Sequence, residues 1–238
     1  MKRLMPIFIV ILLSGCGILT AYAPNMLSMI VVAVMGVVVL LGIIYGLIPV
    51  LTFTQGLLTG QKSIQRASEA EEKSVWITAL QMDRFFRQKK MDQLFREYRD
   101  KVKQQRQNGQ IVSDLEDILN EDVLALYSWQ GVVAQIPGTL TGLGILGTFI
   151  GLLRGLRNIN FVTVEAALSS VQSILTGIDT AFYTSIAGVI LSILFNISNN
   201  ILRNTMDREM GIFLEVFHRV VLPTTQEQER YRSRRETR

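Results

Sequence analysis

Hydroxyl residues and a carboxylate stand in stretches of this chain that are predominantly apolar. Thr148 lies in Gly138-Thr-Leu-Thr-Gly-Leu-Gly-Ile-Leu-Gly-Thr-Phe-Ile-Gly-Leu-Leu-Arg-Gly-Leu156, whose one charged residue is Arg154. Thr184 and Ser185 lie in a later apolar run, with Asp179 five residues before Thr184. A hydroxyl oxygen can accept from a protonated acid or face a small cation, and a carboxylate can take up and release a proton. In a bilayer that chemistry is proton or cation transfer. A carboxylate at such depth costs several kcal/mol unless it is paired, hydrated or protonated, so Asp179 reads as functional.

Spacing arranges these groups. On an ideal helix turning about 100° per residue, Thr141 and Thr148 nearly superimpose. Gly144, Gly147, Gly151 and Gly155 occupy the adjoining third of the circumference, and the last three make two successive small-xxx-small steps, which let helix backbones approach closely. In the later run Ser173, Gly177, Thr180, Thr184, Gly188, Ser192 and Asn199 share one face, with Ser185 and Asn196 at its edge. Counted from cytoplasmic ends near Gly131 and Leu202, Thr148 and Thr184 both lie about 25–27 Å up. Several copies around an axis would join such hydroxyls into a polar ring. Asp179 falls level with Arg154, and the two are expected to neutralise each other within or between subunits. Asp179 points about 140° away from Thr184 on the ideal wheel, toward a neighbouring helix rather than a pore. Plainer readings stand beside these: glycines that only pack, and threonines bonded to their own helix carbonyls.

The elements that must position these residues are membrane helices. Leu4–Ala23, Met26–Leu51, Gly131–Leu153 and about Val171–Leu202 are apolar runs, each matching or exceeding the roughly 20 residues that cross a bilayer. The expected fold is all-α integral membrane, with four transmembrane helices and a helical cytoplasmic insertion. The count falls to three if residues 1–15 are a cleaved signal, because Leu13-Ser14-Gly15-Cys16 resembles a lipobox whose cysteine would be acylated. The expected organisation is a membrane pair over residues 1–51, the insertion over 52–128, two pore-type helices over 129–202, and a cytoplasmic helix with a basic tail over 203–238. Basic residues crowd the insertion from Lys62 to Arg106 and the carboxy-terminal region from Arg203 to Arg238. The positive-inside bias therefore puts both termini and the insertion in the cytoplasm of a bacterial inner membrane. The sequence pI of about 9.3 reflects flanks near anionic lipid, and nucleic acid is not needed to explain it.

Within the insertion, Trp76, Leu80, Met82, Phe85, Phe86, Leu94, Phe95 and Tyr98 recur at helical spacing, which predicts one amphipathic helix broken at Asn108-Gly109. Ser113 with Glu116 reads as a capping box opening a second helix through Leu126. Pro137-Gly138 marks a kink or the point where a longer helix enters the membrane. No enzyme, metal site or cofactor is expected. The single histidine, His218, falls on an apolar helical face, and the single cysteine excludes an internal disulfide. Gly56-Leu-Leu-Thr-Gly60-Gln-Lys62-Ser63 has the wrong spacing for a phosphate loop and no strand before it.

At these residues the chain resembles the MotA/TolQ/ExbB proton-channel family. Gly147-Thr148-Phe149-Ile150-Gly151 is similar to its Gly-Thr-x-x-Gly, and Asp179 to an acid five residues before the threonine of the fourth span in ExbB-like members. Thr180-Ala-Phe-Tyr-Thr-Ser185 looks like the ZorA branch, known from antiphage defence, and the short amino-terminal pair of spans looks like that branch and like flagellar stators alike. The flagellar MotA and ExbB/TolQ branches stay open. The resemblance covers about Ala134–Asn200 and implies a ring, a pentamer in that family's pattern, around two copies of a single-span partner of the MotB/ExbD/TolR/ZorB type. The partner's membrane aspartate would carry the ion, with Thr148, Thr184, Ser185, Thr141 and Asp179 along its path. Gly144, Gly147, Gly151, Gly155, Gly177 and Gly188 would serve helix packing. H⁺ and Na⁺ are both admitted. The alternative is a non-conducting membrane scaffold whose glycine-rich helices only assemble a complex.

Overall fold

The computed structural model of the chain describes residues 5–69, 80, 82, 84–108, 110, 112–157, 159 and 162–222. Among these every regular element is helical: α1 (Met5–Ala21), α2 (Met26–Gly42), a π-helical turn (Ile43–Leu47), α3 (Ile48–Glu69), α4 (Lys89–Gln107), a 3₁₀ turn (Leu115–Asp117), α5 (Glu121–Tyr127), α6 (Gln130–Val133), α7 (Ile136–Leu156) and α8 (Val164–Val220). Three stretches, Met26–Arg66, Gln130–Leu156 and Val164–Val220, are long and apolar enough to cross a membrane. Helix α1 is apolar but has only 17 residues, the short end of the spanning range.

The chain divides into two compact units. The first holds α1, α2, the π turn, α6, α7 and α8 as far as Leu202. Its α2 packs on both α1 and α7. Asn25 opens α2 in an extended conformation, and its Oδ1 accepts from the Ser28 N–H at 3.0 Å, satisfying a donor that has no carbonyl in its own helix. A Cβ on Gly42 would stand 2.5 Å from the Phe195 ring, and one on Gly46 would stand 2.7 Å from Val133. Glycine at both ends of the π turn therefore lets α8 and α6 approach its backbone. Pro137 falls in the first turn of α7, where its missing N–H costs nothing. It marks a helix start, and α6 precedes it across Ala134 and Gln135.

The second unit holds α3 from Pro49, α4, α5 and α8 from Arg203. Its centre is a cluster of rings. Phe85 stacks on Phe95 at 4.4 Å between centroids, and Phe86 meets Phe213 edge-on at 5.2 Å. Tyr98 and Phe217 complete the cluster at 5.9 Å, and burying each such ring contributes roughly 2 kcal/mol. The Asp92 carboxylate accepts from the Phe86 N–H at 2.8 Å, and the Ser63 hydroxyl donates to the Phe85 carbonyl at 2.9 Å.

Three expectations from the sequence need correction in this unit. Phe85 and Phe86 do not lie on a helix with Phe95. Arg87 takes φ 55° and Gln88 is extended, so the helix starts at Lys89. Trp76 lies outside the described residues. Ser113 caps no helix, because Gln105 holds it through both its Oγ (2.6 Å) and its N–H (3.0 Å). A 3₁₀ turn follows, and α5 begins at Glu121, where Asn120 Oδ1 accepts from the Val123 N–H at 3.0 Å. His218 is not packed on an apolar face. Its side chain is 70% exposed, with Nδ1 2.6 Å from Asp114 Oδ2.

Candidate functional site

The α7–α8 contact in the first unit is glycine against backbone. Gly144, Gly147, Gly151 and Gly155 are all buried on α7. A Cβ on Gly151 would stand 2.8 Å from the Gly177 carbonyl oxygen and 2.9 Å from the Ala181 nitrogen. One on Gly177 would stand 2.6 Å from the Gly151 carbonyl, and one on Gly188 2.7 Å from the Leu140 carbonyl. Gly144 faces the Thr184 carbonyl, and Gly155 faces Gly177. No flexible side chain stands at these points to move aside, so the small-residue steps have brought two backbones together.

The threonines sit along this seam. A Cβ on Gly147 would meet Thr184 Oγ1 at 2.5 Å. Thr184 is fully buried, and its hydroxyl donates to the Thr180 carbonyl at 2.9 Å. Thr148, next to Gly147, is half-buried. Its hydroxyl donates to the Gly144 carbonyl at 3.0 Å and lies 3.5 Å from the Ala181 carbonyl. Thr141, also half-buried, donates to the Pro137 carbonyl at 3.1 Å. Each threonine thus bonds to its own helix, yet each oxygen keeps lone pairs that can still accept. The polar arc of α8 faces inward: Gly177, Thr180, Thr184, Gly188 and Asn199 are buried, while Ser173, Ser185 and Ser192 are half-buried.

Asp179 and Arg154 stand apart from the seam, with both side chains exposed. Among the described residues no ion pair joins them within the chain, and their mutual neutralisation inside one subunit is not formed. The outward faces of both helices are apolar, with Phe149 67%, Leu153 70%, Phe182 66% and Ile186 58% exposed. These faces suit lipid or other protein.

Reading the sequence missed Asn25 and Tyr183. Asn25 Nδ2 donates to Thr180 Oγ1 at 2.6 Å, and the Tyr183 hydroxyl donates to the Leu19 carbonyl. The cap at Asn25 could be read from a polar residue ahead of an apolar run, but nothing local points to its partner on α8. Away from the seam, in the second unit, a cleft of about 520 Å³ is lined by Asp114, Glu116, Glu215, His218 and Arg219 among others. Two pairs form within it, His218 with Asp114 and Arg219 with Glu215.

Comparison with known proteins matches residues 12–205 to a family described as anti-phage protein ZorA, Zorya type I system. A Zorya protein ZorA from Escherichia coli strain Crooks is 47% identical over 60 residues, covering 25% of this chain and 10% of that protein. A Zorya protein ZorA from Escherichia coli O139:H28 is 43% identical over 60 residues, covering 25% of this chain and 8% of that protein. The matched segment thus spans a tenth or less of the length of these curated relatives.

Proposed function

The chain belongs to the ZorA family of type I Zorya anti-phage systems, and from that premise we propose that it is a ring-forming subunit of an ion-motive-force-driven motor. It works in the bacterial inner membrane with four spans, and both termini and the 52–128 insertion are cytoplasmic. Five copies surround two copies of a single-span partner of the ZorB/MotB/ExbD/TolR type. The partner's membrane aspartate accepts and releases the ion beside Thr148, Thr184, Ser185 and Thr141, Asp179 helps organise that path, and ion flow turns one component against the other. The output of that motion is antiphage defence.

The observation that carries this reading is Asp179, an exposed carboxylate on an apolar helix that has no ion-pair partner among the described residues of its own chain. Its neighbour Thr180 bonds Asn25 at the tip of the α1–α2 hairpin, which on this topology lies at the outer margin of the membrane, where water and a neighbouring chain can both reach the carboxylate. Arg154 of a neighbouring copy is the cation of matching depth. A non-conducting scaffold is the second reading, and the back-bonded hydroxyls with Thr184 buried against Gly147 favour it.

The test is co-expression with the neighbouring gene, purification in mild detergent, native mass spectrometry, and ion flux in proteoliposomes. Five copies holding two of a small single-span protein support the motor. A monomer, a dimer or a ring without partner sinks it. Thr148→Val and Thr184→Val separate the readings, because volume is kept while the hydroxyl is lost. The motor loses flux with assembly intact, and the scaffold tolerates both.

A further inference from the structure

One turn of α8, from Asp179 to Thr184, is fastened by the outer end of the α1–α2 hairpin. The amide of Asn25 does two things at once. Its Oδ1 accepts from the N–H and the hydroxyl of Ser28 at the start of α2, while its Nδ2 donates to Thr180 on α8. Tyr183 supplies the complementary tie. Leu19 is among the last four residues of α1, whose carbonyls have no partner in their own helix. The Ile18 carbonyl is taken by the Tyr22 N–H at 3.0 Å, and the Leu19 carbonyl accepts from the Tyr183 hydroxyl. These bonds join residues 155 and 164 positions apart, so they hold tertiary structure rather than local turns.

Their position on the helix is informative. Taking Asp179 as the origin, Tyr183 lies about 40° around α8, Thr180 about 100° and Thr184 about 140°. The two ties therefore fill the arc between the exposed carboxylate and the buried seam. A seam of glycine on backbone sets how close α7 and α8 come, but it offers few side chains to stop α8 from turning or sliding. Directed hydrogen bonds resist both movements. We propose that Asn25 and Tyr183 are positioning residues that set the rotation of α8 and thereby the direction in which Asp179 is presented to the next chain. This rests on Asp179 belonging to the ion pathway.

The test uses the full chain co-purified with its partner, with assembly read by native mass spectrometry and flux read in proteoliposomes. Thr180→Val keeps shape but removes the acceptor for Asn25, and Tyr183→Phe removes the donor to Leu19. Each should lower flux about fivefold or more, the effect of roughly one lost hydrogen bond, with assembly unchanged. Thr180→Ser restores the acceptor and should restore flux, a rescue that filling space alone would not give. Thr180→Val and Tyr183→Phe that conduct like a conducting parent overturn the proposal. So does loss of assembly in step with flux, which would make the ties merely structural. A parent complex that carries no flux overturns the motor reading itself, which distinguishes the two failures.

Discussion

Alanine at Gly151 or Gly177 should force the α7–α8 seam open. The added Cβ would lie 2.8 Å from the Gly177 carbonyl in the first case and 2.6 Å from the Gly151 carbonyl in the second, against ordinary contact beginning at 3.4 Å. The backbones must therefore part by about 0.6 Å and about 0.8 Å, a gap at which neighbouring atoms lose a quarter to a half of their dispersion attraction. Overpacking of this kind costs about 1–3 kcal/mol, offset by at most about 1 kcal/mol of helix propensity gained in replacing glycine. The net expectation is destabilisation of roughly 1–2 kcal/mol for each. Gly138 and Gly142 on the same helix have nothing within 4 Å of an added Cβ, so their alanine variants keep the propensity gain without the clash. Thermal unfolding in mild detergent should place Gly151→Ala and Gly177→Ala below the parent, and Gly142→Ala level with it or above. The double variant should lose less than the sum of the singles, because both substitutions open one gap. Equal melting of Gly151→Ala and Gly142→Ala would refute the close seam.

Two further predictions concern the second unit. Asp92→Ala leaves the buried Phe86 N–H without its acceptor and should cost about 1–3 kcal/mol, while Asp92→Asn, which still offers an oxygen, should cost less; equal losses in the two would show that this bond does not matter. Burial first, and then the charges of Asp114 and Asp117, push the Tyr98 phenol well above its usual value of 10. Its folded pKa is raised, so its contribution is fully present below about pH 10 and is lost as pH rises beyond that. Alkaline unfolding followed by fluorescence should be steeper for the parent than for Tyr98→Phe, and identical profiles would contradict this account.

The parts of this fold that can be read from sequence are those set by periodicity. The face bearing Gly144, Gly147, Gly151 and Gly155 can be drawn on a wheel, because a residue without a side chain has few uses at four-residue spacing. What that face meets is a tertiary fact and cannot be drawn. Asn25 and Tyr183 escaped because each acts on a helix more than 150 residues away. Phe85 and Phe86 satisfy helical spacing with Phe95 yet sit before a backbone reversal, since spacing records which residues are buried and not the path between them. Ser113 and Glu116 satisfy a capping pattern, but Gln105 competes for the serine, and a short local motif cannot anticipate a competitor. His218 lies about 100° around the helix from Phe217, off the buried face, and meets Asp114 with its side chain exposed.

The glycines and threonines of the seam fit a channel and a scaffold alike. Close backbone approach serves both, and a threonine bonded to its own helix costs a scaffold nothing. Thr184 is withdrawn behind Gly147, so the half-buried Thr148 is the more open of the two hydroxyls. Asp179 differs in kind. It is exposed, no ion pair holds it among the described residues, and it stands beside the tie from Asn25 to Thr180. On the motor reading proposed above, a carboxylate so placed, one residue from a threonine tied to the α1–α2 hairpin, acts between chains.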